Sequence, residues 1–324
     1  MTQEPVLTIL ITTYNRSVVL DAVLSKLSSY QDKGLAFNIL VSDDCSTDNT
    51  KEICKKWEDN LHGFSYLKTE QNLGMDNNFK NVYENFHTEF CWLLGDTRQI
   101  SFDGLKSVID ILSTSNHDAL ILRCREEMSK ERIEYSDINT LMSQQGWHIT
   151  NNASCVIPKR FITPLLYNRY WGTTFLHMGI FVENLCMVEN FNVLYMGDVY
   201  ITELETPGFT KGGWISHPFL NFGKLWYEFV MSLPNQIDID IKHQVLLDHN
   251  KYTKIFDISE IHKRILTYRE TYINSYRENR RYMPYVVTTP LWIYDLLICV
   301  IPLSIYDAVF DIYKTFFKRE DKKQ

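Results

Sequence analysis

Short apolar runs alternate with amphipathic segments over the first 125 residues. Val6–Thr12 (VLTILIT) is apolar and β-branched along its length, the mark of a strand buried on both faces. After Asn15–Ser17, apolar residues recur at helical spacing from Val18 to Leu27. Phe37–Ser42 is a second buried strand, and Ser46 or Thr47 is positioned to cap a helix running to about Trp57. Phe64–Lys68 is predicted as a strand, Asn72-Leu73-Gly74 as a turn, and Asn77–Phe86 as a helix. Glu89–Leu94, the helix Phe102–Leu112 and the strand Ala119–Arg123 complete the series. Strand–helix alternation at this spacing predicts an α/β fold with a doubly wound, mostly parallel sheet.

In such sheets ligands bind beyond the carboxyl ends of the strands. Polar clusters fall at those ends: Thr12-Thr13-Tyr14-Asn15, Asp43-Asp44 and Gly95-Asp96. One such cluster reads as ordinary strand termination. Three at the ends of successive strands point to a ligand. GxxxxGK[ST] is absent, as is GxGxxG after the first strand, so neither a P-loop nor a dinucleotide fingerprint is present. The remaining chemistry suits a nucleotide. Tyr14 can stack on a base, Asp44 can accept from a uracil or guanine imide, and Thr12 offers a hydroxyl. Asp96 would lie near a diphosphate, where a carboxylate is welcome only beside a metal or another cation.

TILITTYNR, ILVSDDCSTDNT, EQNLGMDNN and CWLLGDTRQIS, in that order, resemble the N-terminal half of family-2 inverting nucleotide-sugar glycosyltransferases with the GT-A fold. The WLLGD segment is similar to the abequosyltransferase-like branch, which acts in bacterial surface-polysaccharide assembly. The resemblance covers about residues 5–125. It implies that Thr12, Tyr14 and Asp44 hold the nucleoside, with Asp43 bracing their loop. Asn72 and Gly74 match the N-x-G turn over the nucleotide. Gly95-Asp96-Thr97-Arg98 stands at the DxD motif, which binds ribose and a Mn²⁺ or Mg²⁺ on the diphosphate. Only Asp96 is acidic here. Either Arg98 neutralises the leaving diphosphate, or Asp96 and the diphosphate together hold a metal. A third alternative is a catalytically silent pseudo-glycosyltransferase that acts as a binding or scaffolding protein. A nucleotidyltransferase would want a Gly-rich, basic first loop instead of Thr12–Asn15.

The resemblance also implies an Asp or Glu base within Tyr170–Asn184, at a helix starting near Trp171. No acidic pair stands there. His177 falls closest, Glu183 lies about two turns into the helix, and Asp198 after Val193–Met196 is the rival. Lys211 and Trp214, in a Gly-bearing loop between Pro207 and Pro218, read as an acceptor-closing lid. Without a Q-x-x-R-W motif, addition of a single sugar is expected in place of processive synthesis.

From about Ile237 the pattern turns helical, with amphipathic stretches Ile241–His249 and Ser259–Arg280, the second capped by Ser259. The expected organisation is a GT-A domain over 1–235, with a nucleotide-sugar half 1–125 and an acceptor half 126–235, then a helical extension over 236–324. Tyr285–Phe317 is rich in apolar and aromatic residues but interrupted by Pro290 and Pro302, and it carries no run of ~20 apolar residues. With Lys314, Lys318, Arg319, Lys322 and Lys323 it reads as an interfacial helix on a membrane surface, or as a helix packing on the domain or a second copy.

Charge agrees with this division. Of the net −7, residues 251–324 contribute +4 and residues 1–250 contribute −11. An acidic body argues against a nucleic-acid partner, whose phosphates need a concentrated positive surface. Seven widely spaced cysteines without a CxxC predict neither a disulfide framework nor a zinc site. Met1–Pro5 has no basic n-region and Val6–Ile11 is too short for a secretory core, which predicts a cytoplasmic chain, peripheral on the inner membrane if the tail engages it. The partners expected are a nucleotide-sugar donor and a glycan or polyprenol-linked acceptor.

Overall fold

A computed structural model describes residues 4–204, 217–301 and 308. The chain divides into two compact units, the first holding the described residues up to 204 together with Leu233–Asp238, the second the described residues 217–232 and those from 239 onward.

In the first unit the expected elements form in the expected order, with one further short strand at Arg98–Gln99. They are β1 (Leu7–Thr13), α1 (Ser17–Gln31), β2 (Asn38–Asp43), α2 (Thr50–Glu58), β3 (Phe64–Lys68), α3 (Met75–Asn85), β4 (Phe90–Leu93), β5 (Arg98–Gln99), α4 (Phe102–Thr114) and β6 (Ala119–Arg123). The rest of the unit follows with β7 (Arg132–Tyr135), α5 (Ile138–Gln145), β8 (Cys155–Pro158), α6 (Pro164–Tyr170), α7 (Leu176–Met187), β9 (Val193–Tyr200) and β10 (Thr202–Glu203).

Eight strands form one sheet in the order β3-β2-β1-β4-β8-β6-β9-β7, while β5 and β10 pair separately. β1 runs parallel to β2 and β4, and β2 parallel to β3. β8 is antiparallel to both β4 and β6, so the sheet is mixed although mostly parallel. Cys155–Pro158 is four residues without alternation, which is why no strand is legible there.

The continuous apolar runs mean what their pattern implies. Leu7, Ile9 and Ile11 of β1 share one face with Ile39, Val41, Trp92, Leu120 and Leu122, and bury against Leu20, Val23, Leu24 and Leu27 of α1. Each such side chain contributes about 1.5–3 kcal/mol by leaving water, so Ile9→Ala at the sheet centre should cost about 2–5 kcal/mol.

Some boundaries differ from the sequence reading. α2 starts at Thr50 after Asn49, with no cap from Ser46 or Thr47. Those residues instead bind the β1–α1 loop, and the Asp48 carboxylate takes the N–H of both Thr50 and Ser17. Burial pushes the Asp48 pKa up, but the hydrogen bonds from Thr50 and Ser17 outweigh it and hold it low. α7 begins at Leu176, not Trp171, because Gly172 (φ +76°) and Thr174 (φ +68°) take left-handed conformations that break the first turn.

The second unit is helical. A π-helix Phe219–Leu225 runs into α8 (Trp226–Ser232), followed by α9 (Ile239–Thr253), α10 (Ile258–Asn279), α11 (Met283–Val286), α12 (Leu291–Tyr294) and a π-turn Asp295–Val300. The α10 cap is the Asp257 carboxylate rather than Ser259, whose N–H donates to it. Phe219 stacks on Phe256 and meets the edges of Tyr272 and Tyr276 at the centre of this unit. Trp292, Leu296 and Val300, four residues apart, stay 40–65% exposed. Among the described residues no helix is long and apolar enough to cross a membrane. The basic cluster from Lys314 to Lys323, and Lys211 with Trp214, lie outside the described residues.

Candidate nucleotide site at the sheet edge

Register aligns the ends of the central strands. Thr12 and Thr13 of β1 lie opposite Ser42 and Asp43 of β2, and β4 ends beside Leu10 before turning at Gly95 (φ +79°) into Asp96. The three polar clusters therefore meet at one sheet edge, as their positions in the sequence imply.

Asp43 is fully buried and structural. One oxygen accepts from the Ser46 N–H at 2.8 Å, the other from the Tyr66 hydroxyl at 2.8 Å, with Lys68 Nζ 3.7 Å away. Burial and this carboxylate raise the Tyr66 phenol well above its usual range.

Asp44, 4% exposed, is turned to the N-x-G segment. Its two oxygens accept the backbone N–H of Leu73 at 2.7 Å and of Gly74 at 2.9 Å. The Asn72 side-chain oxygen also accepts from Gly74 N–H, at 3.1 Å. Gly74 has φ +82° and ψ 171°, a conformation open essentially only to glycine. Asp44, Asn72 and Gly74 are thus one unit: the carboxylate folds the turn that starts α3. Tyr14, directly after β1, is 45% exposed.

Asp96 is 4% exposed and already has partners. Thr13 Oγ1 donates to one oxygen at 2.9 Å and Arg16 Nη1 to the other at 2.8 Å. Burial pushes its pKa up, opposed by the Arg16 charge and both hydrogen bonds. Neighbouring Thr97 and Arg98 supply no carboxylate, and among the described residues no group of three His, Cys, Asp or Glu side chains is arranged around a common point. An oxygen-liganded divalent cation gathers several carboxylates. The residues present do not gather the several carboxylates that a Mn²⁺ or Mg²⁺ site is built from, and Asp96 alone would hold such an ion.

Arg98 is not the cation on Asp96. β5 pairs with β10, placing Arg98 opposite Glu203, and the guanidinium lies 3.2 Å from the Glu203 carboxylate. The sequence reading missed Arg16 because TYNR reads as a strand-ending turn. The signal available was a basic residue directly after the first polar cluster.

The base candidates separate clearly. Asp198 is held by Arg132 through both carboxylate oxygens at 2.8–3.1 Å, and this pairing, against some desolvation, keeps its pKa low. Its partner Arg132 also binds Ser107, and neither belongs to the cluster at the strand ends. Glu183 is buried under Arg169 and the Tyr170 hydroxyl, tying α7 to α6. His177 is buried, with Nε2 3.0 Å from the Thr150 carbonyl and Nδ1 unpartnered. Desolvation lowers its pKa to about 4, so Nε2–H donates and the ring is neutral at physiological pH. Its ring meets the Phe79 ring edge-on.

One further carboxylate is present. Asp76, in the first turn of α3, accepts the Gly172 N–H at 2.8 Å, and its second oxygen is buried without a hydrogen-bond partner. Burial raises its pKa, against the lowering effect of the Gly172 and Thr174 amides. Asp76 and Phe79, one turn apart, thus meet Gly172 and His177 of the segment where an acidic pair is missing. No sequence signal marks this, since the pairing spans 96 positions.

Comparison with known proteins gives a consistent picture. The sequence model of glycosyl transferase family 2 matches residues 8–182. Over 96 residues the chain is 31% identical to the abequosyltransferase RfbV of Salmonella typhimurium, spanning 29% of this chain and 29% of that protein. Over 57 residues it is 40% identical to a validoxylamine A glucosyltransferase of Streptomyces hygroscopicus subsp. limoneus, 18% of this chain and 13% of that one. The chain thus matches less than a third of the length of either curated relative.

Among solved structures, S. aureus TarS 1–349 superposes with a TM-score of 0.56 at 15% identity, over 83% of this chain and 80% of that one. The mannosyltransferase PcManGT from Pyrobaculum calidifontis, in complex with GDP-Man and Mn²⁺, gives 0.53 at 13% identity, over 97% and 82%. At these identities the likeness is one of fold, and the fold is the expected GT-A arrangement.

Proposed function

The chain belongs to glycosyl transferase family 2, and on that footing we propose that it moves a single sugar, with inversion, from a nucleotide-sugar donor to a bacterial surface glycan carried on a polyprenol-linked acceptor. The observation that carries the reading is the junction of Thr12–Arg16, Asp43–Asp44, Asn72–Gly74 and Gly95–Asp96 at one sheet edge. Relatives of the same fold support the donor class, since TarS has been captured with UDP-GlcNAc and PcManGT with GDP-Man. The resemblance to the abequosyltransferase-like branch, with 31% identity to one such enzyme, supports a surface glycan.

Tyr14 would stack on the base, and the turn folded by Asp44 would close over the nucleoside. The acceptor hydroxyl attacks the anomeric carbon as the bond to the diphosphate breaks on the opposite face. The electron pair leaves with the nucleoside diphosphate, and the hydroxyl proton passes to a base. Asp76 is the base in this reading, because it is the carboxylate that meets the segment leading into α7, and burial raises its pKa. His177, neutral and fixed to Thr150, serves as a positioning residue for the same segment. Exposed Trp292, Leu296 and Val300 support contact of the helical unit with a membrane surface.

The test is incubation with UDP-, GDP-, CDP- and dTDP-sugars together with polyprenol-linked oligosaccharide. Release of nucleoside diphosphate from one donor, dependent on the acceptor, supports the reading. A folded protein that releases none from any donor would identify a catalytically silent relative instead.

A further inference from the structure

We propose that Arg16 is the resident cation of the diphosphate site, held on Asp96 in the place where the fold elsewhere carries a divalent metal; this rests on the nucleotide-sugar reading above. Geometry makes the first point. Arg16 Nη1 lies 2.8 Å from Asp96 Oδ1, and Thr13 Oγ1 takes Asp96 Oδ2 at 2.9 Å. Both carboxylate oxygens are thus engaged, one by Thr13 at the end of β1 and one by Arg16 of the loop that follows, so Asp96 already has a cation as its partner.

The other nearby carboxylates are committed as well. Asp43 is spent on Ser46 and Tyr66, and Asp44 on the amides of Leu73 and Gly74. Thr97 and Arg98 bring no further carboxylate beside Asp96.

The loop that delivers Arg16 is built to hold it. Asn15 takes φ +52°, a left-handed conformation, and is fixed from two sides. Its N–H donates to Ser46 Oγ at 2.8 Å, and its side-chain oxygen accepts the Thr47 N–H at 2.8 Å. The next residue is Arg16, whose carbonyl accepts the Leu20 N–H and opens α1. The guanidinium therefore projects from a rigid corner at the strand end. Its side chain is 29% exposed while Asp96 is buried beneath it. A guanidinium carries five donors in a planar fork, so it can bridge a carboxylate below and a phosphate above. Arg98 faces Glu203.

Isothermal titration with UDP, GDP, CDP and dTDP, in EDTA and then in Mn²⁺, tests this on the full chain. At least one nucleoside diphosphate should bind in EDTA to within about threefold of its affinity in Mn²⁺. Arg16→Ala should weaken that diphosphate by about tenfold or more, the scale of a lost charge-assisted pair, yet leave the corresponding nucleoside bound as before. Arg16→Lys, which keeps the charge but not the fork, should fall between. A melting curve on each variant separates lost binding from lost folding, and Arg16→Lys keeps the comparison open if Arg16→Ala unfolds. Binding that requires Mn²⁺, or an Arg16→Ala loss equal for nucleoside and diphosphate, overturns the proposal while the glycosyltransferase reading stands. Failure of every nucleoside diphosphate to bind the wild-type protein in either condition overturns both.

Discussion

The carboxylate of Asp76, in the first turn of α3, accepts the backbone N–H of Gly172 at 2.8 Å. It thereby ties the segment that begins beside the N-x-G turn to the one that leads into α7. Asp76→Asn keeps the size and an acceptor for the Gly172 amide but removes the basic oxygen. Turnover should fall by about 10²-fold or more, the usual contribution of a positioned base, while nucleotide affinity stays within about threefold of wild type. Parallel titration and steady-state kinetics check this. Undiminished turnover in Asp76→Asn would remove it as the base.

Asp44 and Gly74 make a matched pair. Asp44→Ala removes the acceptor of the Leu73 N–H and one of the two acceptors of the Gly74 N–H, a loss of about 1–3 kcal/mol, and should both lower the melting temperature and weaken nucleotide binding. Gly74→Ala isolates the backbone contribution, because a Cβ there meets nothing within 4 Å. Only the φ +82° conformation opposes it, at about 1–3 kcal/mol. Thermal melts and nucleotide titrations on both variants read the two effects.

Two buried histidines set an acid limit. Desolvation lowers His177 to about 4 and, with a contribution from the Arg125 charge, His148 to about 3. The unfolded chain takes up these protons near pH 6.5, before the folded protein does. Stability contributed by the neutral rings is therefore complete above about pH 6.5 and declines as pH falls toward 4, by an amount on the order of 3 kcal/mol per ring. Urea melts between pH 4.5 and 7.5 should show this slope, and His177→Gln should flatten it.

Arg98 and Arg16 should differ in what they do to phosphate binding. Arg98 sits in a pair whose partner Glu203 is 62% exposed, an arrangement worth about 0–1 kcal/mol. Arg98→Ala should weaken nucleoside diphosphate binding several-fold less than Arg16→Ala, measured side by side by titration. Equal losses would return Arg98 to the diphosphate.

Local signals made much of residues 5–125 legible. Continuous apolar runs identify β1, β2, β4 and β6 because both sheet faces are covered, and Asp or Gly at their ends marks the site edge. What escaped was set by long-range contact. β8 is a short antiparallel insertion whose place depends on Trp92 Nε1 donating to the Ala153 carbonyl and on pairing with strands far away in sequence. The partners of Asp96 and Asp76 belong to the same class. A sequence shows that a carboxylate stands at a strand end, but not that an arginine 80 residues earlier neutralises it. Asp198 shows the converse, since a suitable position in the chain did not reveal its bidentate partner Arg132.

The mass of the acceptor tests the central claim most directly. The protein, a nucleotide-sugar donor that it binds and a polyprenol-linked oligosaccharide are incubated together, and the lipid-linked product is weighed by mass spectrometry. The expected result is a shift by one sugar residue, with one nucleoside diphosphate released per product. An unchanged acceptor with every donor, while the protein remains folded and binds nucleotide, would contradict sugar transfer.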